Sequence, residues 1–106
     1  MYLDEEHHLH IEVTDYLYKV TLYEVPLLAI VSEIKNQFLN RIPDKESIIA
    51  KLAGKVELSN EHQMPFSEFG TRRRFSFDVH DIVVAYLKEH ARYCTGTSNC
   101  YLAMKY

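Results

Sequence analysis

The chain has 106 residues, a formal net charge of −3 and an apolar fraction of 47%. That length bounds it to one domain at most, and the apolar fraction excludes a disordered chain. The acidic balance argues against general nucleic-acid binding, which draws on a basic domain. The first residues, MYLDEEHH, lack the basic and apolar regions of a secretory signal. The longest apolar run, Val25 to Ser32, is too short to cross a membrane. Cys94 and Cys100 match neither a CxxC nor a zinc spacing, so free thiols in a reducing cytoplasm are expected.

Leu9, Ile11 and Val13 alternate with His8, His10 and Glu12, the pattern of a half-buried strand. After a turn near Thr14 and Asp15, Tyr18, Val20 and Leu22 alternate in the same way, so the pair predicts a β-hairpin. Of His7, His8 and His10, only His8 and His10 share a strand face, and no acidic partner is obvious; a solvated face is the expectation and no metal site is assigned. Pro26 fits the first turn of a helix whose apolar stripe is Leu27, Leu28, Val31, Ile34 and Phe38. Asn40 to Pro43 breaks it. Asp44 then caps a second helix with Ile48, Ile49, Leu52 and Val56 on one face.

Pro65 to Gly70 predicts a short strand that runs into Thr71 and three consecutive arginines, Arg72, Arg73 and Arg74. Backbone N–H groups opened by a glycine turn and forked guanidinium groups both match phosphate oxygens; a solvated basic loop is the alternative. Phe77 to Ala91 predicts a helix with Val79, Ile82, Val83, Tyr86 and Leu87 in one stripe. A second short strand, Arg92 to Thr95, leads to Gly96, Thr97 and Ser98, and Ser98 or Asn99 caps a last helix. Strand, glycine turn and helix, twice over, is α/β grammar with the ligand at the carboxyl ends of the strands. The chain has only 3 glycines and 3 prolines and stops in the second turn of a predicted helix, which leads us to expect a piece of something larger.

EVPLLAIVSEI (24–34), FGTRRRFS (69–76) and GTSN (96–99) resemble, in order and spacing, an internal part of the nicotinate phosphoribosyltransferases. The resemblance runs from Leu9 to Tyr106. It implies an α/β parent, α+β in this stretch. Residues 1–63 would end an N-terminal α/β domain with a hairpin and two helices; residues 64–106 would be the first β/α units of a type II phosphoribosyltransferase irregular barrel. It implies a cytoplasmic enzyme of NAD biosynthesis that joins nicotinate to phosphoribosyl pyrophosphate, giving nicotinate mononucleotide and pyrophosphate. ATP hydrolysis is coupled to the reaction, with Mg2+, and a homodimer builds its active site at the subunit interface.

By the same resemblance Phe69 stacks on the pyridine, with a core role at a strand end as the alternative. Thr97 and Ser98 belong to the base-recognition turn; nicotinamide-using relatives carry an aspartate where Ser98 stands, so Ser98 favours the acid, unless it is only a helix cap. Gly70, Thr71 and Arg72 fall in the phosphate-binding turn. Of Arg73 and Arg74, one takes a phosphate or the nicotinate carboxylate, and one pairs with an acid such as Glu68 or Asp78. No histidine among the 6 here matches the family's phosphorylated one, so no catalytic residue is assigned and the chain alone is expected to be inactive. Two readings from other classes remain: a stand-alone anion- or nicotinate-binding module, and a nucleic-acid binder using the arginines with Phe75 and Phe77.

Overall fold

The computed structural model describes residues 1–106 as a mixed helix and strand chain. Strands β1 (Tyr2–Leu3) and β2 (Leu9–His10) form a small antiparallel hairpin. Helix α1 (Leu17–Phe38) and helix α2 (Lys45–Glu61) follow. Strand β3 (Phe66–Glu68), a 3-10 turn (Thr71–Arg73), helix α3 (Phe77–His90), strand β4 (Cys94–Thr97) and helix α4 (Cys100–Lys105) complete the order. Strands β3 and β4 pair in parallel, Phe66 opposite Cys94 and Glu68 opposite Thr97, so α3 is the crossover of a β–α–β unit.

The hairpin differs from the sequence expectation. Its strands are Tyr2–Leu3 and Leu9–His10, and Tyr18, Val20 and Leu22 belong to α1. Pro26 therefore lies inside a 22-residue helix rather than in its first turn. A proline there removes one hydrogen bond from the helix ladder. An acidic partner for the histidines also exists: Asp4 Oδ2 lies 2.8 Å from His10 Nε2, and Asp4 Oδ1 accepts the His8 N–H at 2.8 Å.

The helix ends follow their sequence signals. Asp44 accepts the Ser47 N–H at 2.7 Å, Ser76 accepts the Val79 N–H at 3.1 Å, and Asn99 accepts the Leu102 N–H at 3.0 Å. Each such cap stabilises its helix by about 1 kcal/mol. The core is thin. Val56 of α2 meets Leu87 and Ala91 at the end of α3, with Leu52, Phe66, Val83, Tyr86 and Cys94 packed around them. Leu102 of α4 is fully buried. Most of α1 is not in this core: Ala29 is its one buried residue, while Leu22, Ile30 and Ile34 are exposed. The radius of gyration, 16.3 Å, exceeds the roughly 13 Å of a compact chain of this length. No helix is long and apolar enough to cross a membrane.

Candidate functional site

The parallel pairing brings the two glycine turns together. Glu68 ends β3 and Thr97 ends β4, side by side, so the Phe69–Arg74 and Ser98–Asn99 segments leave the sheet at the same edge. Three bonds tie them. The Ser98 N–H donates to the Glu68 carbonyl at 2.9 Å, Thr97 Oγ1 donates to Glu68 Oε2 at 2.6 Å, and Asn99 Nδ2 donates to Thr71 Oγ1 at 3.2 Å.

Gly70 serves by its small size. Its φ of −87° is open to any residue. A Cβ there would sit 3.0 Å from Glu68 Oε1, the atom that accepts the Gly70 N–H. That N–H is therefore not free for a phosphate, contrary to the expectation of an open amide turn. The Arg73 and Arg74 N–H groups are likewise taken, by the Gly70 and Thr71 carbonyls at 3.0 and 3.4 Å. Gly96 is the glycine whose backbone needs one, at φ 149°.

The arginines divide. Arg72 points Nη1 at Glu24 Oε1, 3.4 Å away across a half-exposed pair, a contact loose enough to yield to an anion. Arg73 is exposed. Arg74 turns inward: its guanidinium carbon lies 5.2 Å from the centre of the Phe77 ring, and its buried Nε has no hydrogen-bond partner. No arginine pairs with Glu68 or Asp78; Glu24 is the acid that Arg72 meets, and it reaches the turn from α1. The same helix grips the backbone beyond. Ser32 Oγ donates to the Arg74 carbonyl at 2.9 Å, and Glu33 Oε2 accepts the Phe77 N–H at 3.0 Å. Between α1 and the two turns runs a groove whose walls include Val25, Ile30, Thr71, Arg74, Ser98 and Tyr101.

Phe69 is 72% exposed, so it is not a core residue here. Ser98 is exposed, and Asn99 rather than Ser98 caps α4. Thr97 is inward: its hydroxyl donates to Glu68 and accepts the Asn99 N–H at 3.1 Å. Glu68 and His80 were not assigned to the site by sequence reasoning. His80 is 3% exposed and its Nε2 lies 2.9 Å from Glu68 Oε2. Burial pushes the Glu68 carboxyl up, but hydrogen bonds from His80, Thr97 and the Gly70 N–H outweigh it and hold the group at about 2. The only hint in the sequence is an acid directly before Phe69-Gly70, with a histidine in the first turn of the following helix.

Residues 64–106 match the model of the nicotinate phosphoribosyltransferase (NAPRTase) family. Across more of the chain, it is 42% identical over 91 residues to the nicotinate phosphoribosyltransferase of Chromohalobacter salexigens, covering 84% of this chain and 23% of that one. It is 41% identical over 97 residues to nicotinate phosphoribosyltransferase 2 of Pseudomonas aeruginosa, covering 81% and 24%. The crystal structure of the Porphyromonas gingivalis nicotinate phosphoribosyltransferase superposes with a TM-score of 0.92 at 43% identity, over 98% of this chain and 27% of that one. Over most of its own length, then, the chain is similar to nicotinate phosphoribosyltransferases. It spans about a quarter of the length of the relatives it matches. Both glycine turns lie inside the segment matched to the NAPRTase family, whereas α1, which braces the first of them, lies outside it.

Proposed function

We propose that this chain carries the nicotinate- and phosphate-facing turns of a nicotinate phosphoribosyltransferase, an enzyme of NAD biosynthesis. The reaction joins nicotinate to phosphoribosyl pyrophosphate: the pyridine nitrogen bonds to the anomeric carbon as the bond to pyrophosphate breaks. The observation that carries the reading is the meeting of the Phe69–Arg74 and Thr97–Asn99 segments at one edge of the β3–β4 pair. An exposed aromatic ring, an exposed hydroxyl and two accessible guanidinium groups then face solvent from adjacent turns. Phe69 offers a face to the pyridine, and Ser98 a donor to its carboxylate. Arg72 and Arg73 offer charge to the phosphates, which stabilises the leaving pyrophosphate. Nicotinate is preferred to nicotinamide because Ser98 adds no negative charge beside the carboxylate. Thr71 and Thr97 shape the turns, and Gly70 and Arg74 fix the backbone between them.

Mg2+ and ATP would be held by parts of the enzyme other than these turns. Residues 1–63 close the N-terminal α/β domain and residues 64–106 open the irregular barrel, in a cytoplasmic homodimer whose partner completes the active site. The 106-residue chain binds part of both substrates and does not turn them over. The test is to titrate the chain with nicotinate and nicotinamide while following the Phe69 and Ser98 amide signals. Nicotinate mononucleotide is then assayed after adding phosphoribosyl pyrophosphate and Mg2+, with and without ATP. Nicotinate-selective shifts without product are expected. A folded chain that ignores nicotinate would refute the site, and product from this chain would refute its inactivity.

A further inference from the structure

We propose that Glu68 is a positioning residue that fixes the arginine turn against the Thr97–Asn99 turn, with His80 acting through it. The proposal rests on the reading of these turns as binding turns. One residue touches both. Glu68 Oε1 accepts the N–H of Gly70, at the entry to the arginine turn. Its Oε2 accepts from Thr97 Oγ1 at 2.6 Å and lies 2.9 Å from His80 Nε2, and its backbone carbonyl accepts the Ser98 N–H at 2.9 Å. The connection closes on itself. Thr97 Oγ1 accepts from Asn99 N–H at 3.1 Å, and Asn99 Nδ2 donates to Thr71 Oγ1 at 3.2 Å, one residue beyond Gly70.

The donor set explains why an acid is needed. The Gly70 N–H, the Thr97 hydroxyl and the His80 ring approach two different oxygens. A carboxylate accepts at both; an amide accepts at one and donates at the other. In the Glu68→Gln variant, an amide oxygen turned toward His80 and Thr97 would leave the amide nitrogen opposing the Gly70 N–H. With the oxygen toward Gly70 instead, the amide would donate to the Thr97 hydroxyl and leave that hydroxyl's own hydrogen without its acceptor. Either orientation loosens one turn relative to the other. The pair sits behind the exposed ligand-facing groups: His80 is 3% and the Glu68 side chain 11% exposed, so neither presents itself to a ligand. Turns held in place in advance bind without paying the ordering cost of free loops.

The test is titration of the wild-type chain, Glu68→Gln, Thr97→Val and Ser76→Ala with nicotinate and with inorganic pyrophosphate, alongside amide hydrogen exchange. Glu68→Gln should lose about tenfold in affinity for both probes, the size of one charge-assisted hydrogen bond, with exchange at Gly70 and Ser98 rising together while α2 keeps its protection. Ser76→Ala weakens the start of α3, which carries His80, and should leave both affinities unchanged in the folded protein. Wild-type affinity in a folded Glu68→Gln protein would overturn the proposal. If Glu68→Gln does not fold, Thr97→Val removes the hydroxyl's bond to Glu68 together with its acceptor for the Asn99 N–H, and unchanged binding there overturns the proposal equally. A wild-type chain that binds neither probe refutes the binding-turn reading, and this proposal falls with it.

Discussion

Acid should expose the contribution of Glu68 to the fold, and Glu68→Gln should abolish that response. The native carboxyl is held at about 2, below its ordinary 4.5, because the donors from His80, Thr97 and Gly70 outweigh the effect of burial. A lowered native value means that the ionised group stabilises the fold above pH 4.5 and that this stability is lost as pH falls toward 2. Converted at about 1.4 kcal/mol per pH unit, the interval amounts to roughly 3 kcal/mol. Water at the rim of the site screens part of it, and about 1–2 kcal/mol is a fair expectation. The assay is urea unfolding followed by circular dichroism at about pH 6 and about pH 2.5, for the wild type and Glu68→Gln side by side. The wild type should lose about 1–2 kcal/mol more than the variant across that interval. Asp4, lowered chiefly by His10, and Asp81, lowered chiefly by Lys105, titrate in both proteins and cancel in the comparison. Equal losses in the two proteins would refute the assignment of the Glu68 carboxylate as the stabilising group.

Three further outcomes follow from burial and capping. Leu102, fully buried, should cost about 3 kcal/mol when cut to alanine, read as a fall in melting temperature. Ser76→Ala removes the hydroxyl that accepts the Val79 N–H and should cost about 1 kcal/mol in denaturant unfolding. Phe69→Ala should change stability by less than about 0.5 kcal/mol, since the ring is 72% exposed, yet weaken nicotinate binding measured by calorimetry.

The sequence announced the helices whose caps and stripes are local. Asp44 caps its helix as read, and of the two candidates Ser98 and Asn99 it is Asn99 that caps the last one; the Ser76 cap is a finding of the structure. The strand–turn–helix order around Gly70 was also readable, because glycine placement and apolar periodicity change together there. The start of α1 was hidden. Tyr18, Val20 and Leu22 alternate as a strand would, and Pro26 looks like a helix beginning; the structure joins this segment in one helix with Ser32 and Glu33, whose partners Arg74 and Phe77 are distant in sequence and leave no local pattern. The same applies within the site. Phe69, Ser98 and the arginines were legible as motif members, but the inward turn of Arg74 and the Glu68–His80 contact depend on the pairing of β3 with β4 and on the packing of α3. An acid at a strand end carries no mark that it is buried.

The grip of α1 on the arginine turn bears on how this motif can be transplanted or trimmed. Ser32 and Glu33 hold the Arg74 carbonyl and the Phe77 N–H, and Glu24 stands 3.4 Å from Arg72, three points along a few residues, from a helix that lies outside the segment matched to the family. A protein cut at residue 64 would keep each letter of FGTRRRFS and GTSN while losing the splint along which the first of them is set. The smallest unit that preserves this surface is therefore discontinuous in the chain: a helix and a distant β–α–β element, needed together.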